Sequence, residues 1–424
     1  MAHAIVIGGG IGGLTAAAAL HAHGWTVTLH ERAASLEPVG SGLAIGPNAL
    51  RALDTIGAGD PVRALNAFQG EGGVRRADGR WLSRTSIQTA ADRYGDPLVV
   101  TLRAALVDLL AARLPDGALH LNSTADLASP GDATTPATVT TSTTGPGPGA
   151  DADADAVTGE ETADLVVAAD GIHSPTRATL FPGRSPIRYT GLTAWRAVTR
   201  APAGSFTPAE AWGRGTVFGI NPLTGDRAYL YATAPAPEGA RAPGGDERAE
   251  LLRLFGGWYD PVPALLEGVD PDAVLRNDVY HMPRPLPAFH RGRTALLGDA
   301  AHPMTPNLGQ GACQAIEDAV VLAHHATRAA GTPPGPDTRD AAGRAGGAGA
   351  DMPAALAAYT AARRRRTTQV MRRSHRIARM TALTGAVPVA ARDAAVRLAG
   401  LLGPTALVRE ADMIFRWRPP AGPA

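Results

Sequence analysis

The chain contains no lysine; all 40 of its Lys-plus-Arg positions are arginine. A Schiff-base lysine, the phosphate-binding lysine of a Walker A loop and a lysine general base are therefore excluded. Cysteine occurs once, which rules out a disulfide framework and an ordinary thiolate zinc site. An excess of either charge is missing as well. The 40 basic residues face 39 acidic ones for a net +1, which argues against a general nucleic-acid binder. No apolar run approaches the roughly 18 residues that a membrane-spanning helix needs. The start, MAHAIVIGGG, carries no basic leader or cleavage site and runs straight into a glycine loop. The expectation is a cytoplasmic, reducing setting with no integral membrane segment.

A chain of 424 residues is long enough for two or three structural units with a sizeable core. Ala4 to Ile7 is a short β-rich run followed by glycines, then LTAAAALHAHG, then TVTLHE. This pattern predicts strand, tight turn, helix ending at Gly24, and a second strand. TLRAALVDLLAARL has helical spacing, ADLVVAAD reads as a strand, and 187–235 alternates in the β manner around Gly and Asn-Pro turns. TALLGDAAH is again strand then loop, and QAIEDAVVLAHHATRAA a helix. The expected fold class is α/β, with a Rossmann-type domain interleaved with a β-sheet-based domain and C-terminal helices. The first domain is assigned to 1–70, 96–185 and 275–330, and the second to 71–95 and 186–274. Residues 129–162, rich in Thr, Pro, Gly and Asp-Ala repeats, are expected to be a disordered insertion at a hairpin tip. Residues 331–352 read as a low-complexity loop and 353–424 as a C-terminal helical segment.

The run Gly8-Gly9-Gly10-Ile11-Gly12-Gly13 satisfies G-x-G-x-x-G between a predicted strand and a predicted helix. In such a loop the first glycine allows the tight turn and the second lets backbone approach a pyrophosphate. The third allows close helix–strand packing, and the helix N-terminus supplies partial positive charge. Glu31 ends the next strand, 18 residues after Gly13, where a carboxylate can accept hydrogen bonds from a ribose diol. An acid there favours an unphosphorylated ribose, as in FAD or NAD, and the fingerprint alone does not choose between them.

Two distant segments make the choice. LVVAADGIHSPTR holds Asp170-Gly171, then Ser174 and Arg177, and TALLGDAAHPMTPNLGQGACQAIEDA holds Gly298-Asp299 before a glycine loop that opens a helix. With these motifs the chain resembles the class A FAD-dependent flavoprotein monooxygenases of the p-hydroxybenzoate-hydroxylase-like fold. The salicylate-hydroxylase-like and zeaxanthin-epoxidase-like branches are nearest. The resemblance covers most of residues 1–420 outside the two insertions. It implies that Gly8, Gly10 and Gly13, with Ile11 and Gly12 between them, hold the ADP half of FAD together with Glu31. It places Arg32 on the adenine side, Ala125 where backbone meets adenine, and Gly42 and Leu43 beside the isoalloxazine ring. Arg103 reaches the ribityl-phosphate region, Asp170 braces the pyrophosphate region, and Asp299 contacts the ribityl or phosphate portion. Pro306 and the Asn307–Ala312 loop, with Gly309, Gly311 and Ala312, lie near the pyrimidine edge. Helix-start amides there suit the negative charge of a reduced flavin.

The resemblance further implies that NAD(P)H reduces FAD in a transient encounter and that oxygen then gives a flavin C4a-hydroperoxide. One oxygen atom passes to an aromatic or polycyclic small molecule. The block 186–274 is expected to roof that reaction, with Trp195, Arg196, Phe218, Ile220, Tyr229 and Tyr231 as candidates. Arg196 is the candidate anchor for an anionic or phenolate substrate, with a surface ion pair as the competing reading. Arg196, Tyr229, Tyr231 and Pro306 are the catalytic candidates; no metal is expected, and no general base is assigned. Epoxidation or Baeyer–Villiger insertion are the alternatives, followed by an FAD-dependent reductase or a non-catalytic binding protein. A flavin halogenase is excluded by the missing lysine and the missing WxWxIP segment. The RRRRTTQVMRRSHRIARM stretch reads as a packed, partly solvated helix rather than a nucleic-acid or membrane patch. Oligomeric state is open between monomer and homodimer.

Overall fold

The computed structural model describes residues 1–36, 41–67, 70–143, 157–184, 186–201, 205–331, 351–401, 409 and 411–421. The strand His3–Ile7 lies inside a six-stranded sheet, flanked by Thr26–His30 on one side and Leu165–Ala168 on the other, both parallel to it. Leu119–His120 extends the sheet beyond Thr26–His30, and Thr294–Leu296 extends it beyond Leu165–Ala168. The strands are apolar on both faces because both faces are covered. Ala4 and Val6 pack towards the helices, whereas Ile5 and Ile7 pack with Ala125, Ala137, Val139 and Ala163 on the opposite side. The helix Ile11–Ala22 is buried from Gly13 to Leu20 because it lies between the sheet and the helices Arg103–Ala111 and Gly311–Ala330. Its alanine-rich sequence, apolar all round, suits that position.

The stretch expected to be disordered, 129–162, corrects the sequence reading. Ala137–Thr143 and Val157–Ala163 are strands that join Ser123–Ser129 in a three-stranded antiparallel sheet. Threonine was counted there as a polar low-complexity residue, but it is β-branched and suits a pleated strand. Ala137, Val139 and Thr141 alternate inward along one strand. The Asp-Ala repeat itself, within 144–156, lies outside the described residues, as does nearly all of the 331–352 loop.

The other large sheet has seven strands. In order they are Leu275–His281, Arg188–Arg200, Arg227–Pro235, Val217–Leu223, Ala209–Trp212, Glu71–Arg76 and Trp81–Ser86. Leu275–His281 pairs with Arg188–Arg200, so this sheet continues beyond 274, where the second domain was expected to end. One face packs Trp195, Phe218, Ile220 and Leu230 against the helices Glu247–Phe255 and Val262–Glu267. The other face carries Val198, Tyr229 and Tyr231 towards the strand pair Gly42–Ile45 and Val99–Leu102. Helix Met352–Thr381 packs along Gly311–Ala330 and across the turn at Pro306–Leu308. Among the described residues no helix is long and apolar enough to cross a membrane.

Candidate active site

The glycine loop is shaped by the chain itself. Gly8 has φ +103°, and a Cβ there would lie 2.5 Å from the Ala169 carbonyl oxygen. A Cβ on Gly13 would press into the Gly8 carbonyl oxygen, so the turn and the helix close only with hydrogen at both positions. Gly10, the N-cap residue, makes no side-chain cap, which leaves the first amides of Ile11–Ala22 without a side-chain partner at that residue. Glu31 bends back to this loop. Its carboxylate accepts from the Gly9 amide at 2.6 Å and the Ala33 amide at 2.8 Å. Ser123 donates its amide to the Glu31 carbonyl, so the strand bearing Ala125 starts beside the acid. Arg32 is exposed next to it, and the Ala125 side chain is buried under the sheet.

Asp170 and Asp299 meet across the ends of two parallel strands. Asp170 accepts from the Thr176 amide at 3.1 Å, while its Oδ1 is buried without a hydrogen-bond partner. Arg177 donates to the carbonyls of Asp299, Ala300 and Ile172, tying the two loops together. Asp299 itself is exposed. The surrounding protein displaces water and raises its carboxyl above the ordinary value, against the opposing pull of His302, Arg103 and Arg177. Burial likewise lowers the Arg103 guanidinium; Asp299 opposes the shift and Arg196 adds to it. Arg103 therefore feels the charges of both Asp299 and Arg196, although the three come from separate parts of the chain. Arg103 also lies close to Gly10, within 3.9 Å of a Cβ built there.

The strand Gly42–Ile45 lies against the Tyr229 face of the seven-stranded sheet. Gly42 is packed so closely under the Tyr229 ring that a Cβ would enter it, and Gly309 lies against Ala44. Leu43 is partly buried in the same strand. Pro306 opens a short 3-10 turn, and Gly309 has the left-handed φ of +60° that lets Gln310 start helix Gly311–Ala330. The start of that helix is held from behind. Asn48 donates to Gln310 at 3.1 Å and to Glu317 at 2.6 Å. Gln310 makes no side-chain cap, so the amides of Gly311 and Ala312 are left for the cleft.

Of the roof candidates, the structure separates two groups by strand parity. Arg196, Tyr229 and Tyr231 are on the face towards Gly42, and Arg196 hydrogen-bonds the Tyr229 hydroxyl and Asn277. Trp195, Phe218 and Ile220 point to the opposite face and form its core, so their assignment to the roof is corrected. Trp195 donates to buried Glu247 at 2.8 Å, and Phe218 stacks near Phe255 with ring centroids 5.2 Å apart. His302 donates no catalytic geometry; its Nε2 is 2.5 Å from Asp318 in the core. His281 stacks on His375 at 4.6 Å, at the far end of the sheet.

Sequence reasoning missed Glu210. It accepts from Trp212 Nε1 at 2.5 Å and from the Tyr231 hydroxyl at 2.8 Å on the Tyr229 face of the sheet. A glutamate in the dipeptide pattern AEAW gives no signal of this in one dimension; only the register with Gly219 and Tyr231 does.

The cradle that excludes Cβ atoms, the orphaned oxygen of Asp170 and the uncapped helix start suit a pyrophosphate-bearing dinucleotide. Fold and site together define a dinucleotide-binding flavoprotein with a separate sheet facing the cofactor. The comparisons are specific. The family profile "FAD binding domain" matches residues 1–191 and 276–329, and the chain belongs to that family. It is 36% identical over 376 residues to the aurachin C monooxygenase/isomerase of Stigmatella aurantiaca, covering 88% of each chain. It is 30% identical over 330 residues to the FAD-dependent urate hydroxylase of Klebsiella pneumoniae, covering 75% of this chain and 80% of the relative. Klebsiella pneumoniae HpxO, solved with FAD and uric acid, superposes with a TM-score of 0.80 at 26% identity, over 98% of this chain and 97% of that one. The chain is an FAD-dependent monooxygenase of this family, and FAD is its cofactor.

Proposed function

We propose that this enzyme uses NAD(P)H and O2 to hydroxylate an aromatic or polycyclic small molecule held between the Gly42–Ile45 floor and the polar face of the seven-stranded sheet. The observation that carries the reading is Tyr229, packed over Gly42 and hydrogen-bonded to Arg196, with Arg103 under the charges of both Asp299 and Arg196. Bound FAD supplies the redox chemistry, taking a hydride from the nicotinamide and activating oxygen. The chain's own residues would divide the remaining work. Gly8, Gly10, Ile11, Gly12 and Gly13 would receive the pyrophosphate, with Glu31 on the ribose and Arg32 and Ala125 towards adenine. Arg103, Asp170 and Asp299 would hold the ribityl-phosphate stretch. Gly42, Leu43 and the Pro306–Ala312 segment would frame the ring, with the amides of Gly309, Gly311 and Ala312 facing its pyrimidine edge. Arg196 would orient an anionic or phenolate group on the substrate, and Tyr229 and Tyr231 would close the site against water.

Aurachin C and urate, named for two of the relatives, support a fused or heteroaromatic substrate class. Epoxidation or Baeyer–Villiger insertion would use the same residues, and only the substrate distinguishes them. The single buried cysteine, Cys313, agrees with a reducing, cytoplasmic setting. The test is NAD(P)H oxidation by the FAD-loaded protein across a panel of aromatic acids and polycyclic phenols, with peroxide followed in parallel. Substrate-stimulated oxidation without matching peroxide is expected for at least one member. A protein that retains no FAD, or one whose NAD(P)H oxidation never responds to any aromatic compound, would overturn the reading.

A further inference from the structure

The short helix Asp412–Phe415 and the residues after it are distant in sequence from both segments proposed to frame the flavin ring, yet they are tied to the backs of both. Arg51, on helix Pro47–Asp54, donates to the carbonyls of Phe415 and Trp417, the latter at 3.1 Å. Arg366, on helix Met352–Thr381, donates to the carbonyls of Met413 at 2.6 Å and Ile414 at 2.8 Å. Arg93 and the Tyr94 hydroxyl hold the Asp412 carboxylate, and the Tyr94 ring meets Phe415 edge-on at 5.2 Å. Two routes lead inward from this anchored segment. In the first, the Phe415 ring fills the space beside Gly46, where a Cβ would lie 2.7 Å from it. Gly46 directly follows the strand Gly42–Ile45, and its amide donates to Cys313 Sγ at 3.4 Å. Cys313 donates in turn to the Ala44 carbonyl at 3.5 Å, so Phe415 presses on the joint between that strand and helix Gly311–Ala330. In the second, the guanidinium of Arg366 that holds Met413 and Ile414 also holds Glu317, with Nε at 2.6 Å. Glu317 accepts from Asn48, and Asn48 donates as well to Gln310, the residue before the helix start. Trp417 covers this network, its ring centroid 5.6 Å from the guanidinium carbons of both Arg363 and Arg366.

We propose that residues 411–418 form a positioning strap for the ring half of FAD, in which Phe415, through Gly46, fixes the strand Gly42–Ile45 and Arg366, through Glu317 and Asn48, fixes the turn at Gln310 and Gly311. The inference rests on the placement of FAD proposed above. A strand and a helix start that frame a ligand must leave one side open to it, so their separation is set by what packs behind them. Holding that separation before the ring arrives lowers the ordering cost of binding. Removing the Phe415 ring opens a void beside Gly46, which has no side chain with which to fill it, and a close-packed interior passes the resulting shift to the strand. Losing Arg366 frees the carbonyls of Met413 and Ile414 and leaves Glu317 with Arg363. None of the contacts named goes to the Gly8 to Gly13 loop or to Glu31, so the site for the ADP half is expected to be indifferent to the strap. Phe415 and Arg366 are positioning residues, acting through the backbone and through Asn48.

The test needs no turnover: the full-length protein, freed of FAD, is titrated separately with FAD and with ADP. Wild-type protein is expected to bind FAD far more tightly than ADP. Phe415→Ala is expected to weaken FAD about tenfold while ADP changes by less than about twofold. Arg366→Gln is expected to show the same split, and Phe415→Leu, which refills most of the void, to recover most of the FAD affinity. In the FAD-loaded Phe415→Ala protein, well below its unfolding temperature, the visible flavin band is expected to shift from its wild-type position. A merely structural role would lower thermal stability and weaken both ligands alike. Equal losses of FAD and ADP affinity, or unchanged FAD affinity in the variants, would overturn the strap. Should Phe415→Ala fail to fold, Phe415→Leu and Arg366→Gln decide by the same split. Wild-type protein that binds FAD no more tightly than ADP would overturn the ring placement and the strap together, an outcome distinct from the loss of the strap alone.

Discussion

Glycines in the cleft divide into two kinds, and the division can be measured. Gly8 and Gly13 are required by the chain: Gly8 needs its positive φ, and Gly13 has no room for a Cβ beside the Gly8 carbonyl. Around Gly311 no atom of the described chain lies within 4 Å of a Cβ, and at Gly10 the nearest is an Arg103 nitrogen at 3.9 Å. A methyl at these two positions can disturb only a ligand. Gly13→Ala is expected to lower both apoprotein stability, by about 1–3 kcal/mol for forced overpacking, and FAD affinity. Gly10→Ala and Gly311→Ala are expected to leave apoprotein thermal unfolding nearly unchanged while weakening FAD about tenfold or more. Unfolding of the apoprotein and FAD fluorescence titration, run on all three variants, check this. If Gly311→Ala binds FAD as wild type does, the pyrimidine edge does not lie where proposed.

At the scale of elements, helix Gly311–Ala330 is fixed to helix Met352–Thr381 by charge in the core. Arg363 is fully buried between Glu317 and Asp318, with its Nε 2.6 Å from Asp318 and a second nitrogen on Glu317. Arg366 adds a further contact to Glu317 at 2.6 Å, and Asp318 also takes the Gly298 amide at 3.0 Å. Burial pushes both carboxyls up, but Arg363 with Arg366 for Glu317, and His302 with Arg363 for Asp318, reverse this, so both are held below the usual carboxylate range. A depressed carboxylate stabilises the fold above its unfolded-state pKa, and that contribution is lost as pH falls through the folded value. Arg363→Met removes the buried cation shared by Glu317 and Asp318, leaving Arg366 on the first and His302 beside the second, and is expected to cost about 3–5 kcal/mol near neutral pH. Urea midpoints near neutrality and in mild acid check this, and the loss should shrink in acid as the acids protonate. The helices, strands and glycine turn around this network were legible in the sequence, because periodicity and G-x-G-x-x-G are local signals. The network was not. IEDA and RRRR look like solvated helix faces in one dimension, and pairing across 45 or more positions leaves no trace in spacing. Glu210 escaped for the same reason, and Phe218 was assigned to the wrong face because alternation identifies two faces without saying which one meets the cofactor. Arg103, Asp299 and Arg196 are a partial exception: resemblance singled them out, and the fold then set them in one electrostatic neighbourhood.

Across the whole molecule, the two sheets must hold a fixed spacing if substrate and cofactor are to meet, and one seam of that spacing is sensitive to protons. His281 ends the edge strand of the seven-stranded sheet, and His375 belongs to the helix that packs on Gly311–Ala330. Their rings stack at 4.6 Å with an interplanar angle of 8°. Burial lowers the His281 pKa below 6.5, and the neighbouring charges of His375 and of its strand partner Arg188 lower it further. A depressed histidine contributes stability that is complete above the unfolded-state value and is lost as pH falls through the folded value. Thermal stability is therefore expected to decline as pH drops below about 6.5, as the His281 imidazole acquires charge beside Arg188. His375→Phe keeps an aromatic ring in the stack and removes the repulsion that His375 exerts on His281, so the variant should lose less stability on acidification than wild type does. Thermal unfolding of both proteins across the histidine range, in the FAD-loaded state, gives the comparison. Parallel pH curves would show that the seam does not respond to protons and that acid sensitivity resides elsewhere, in the buried carboxylates of Glu317 and Asp318.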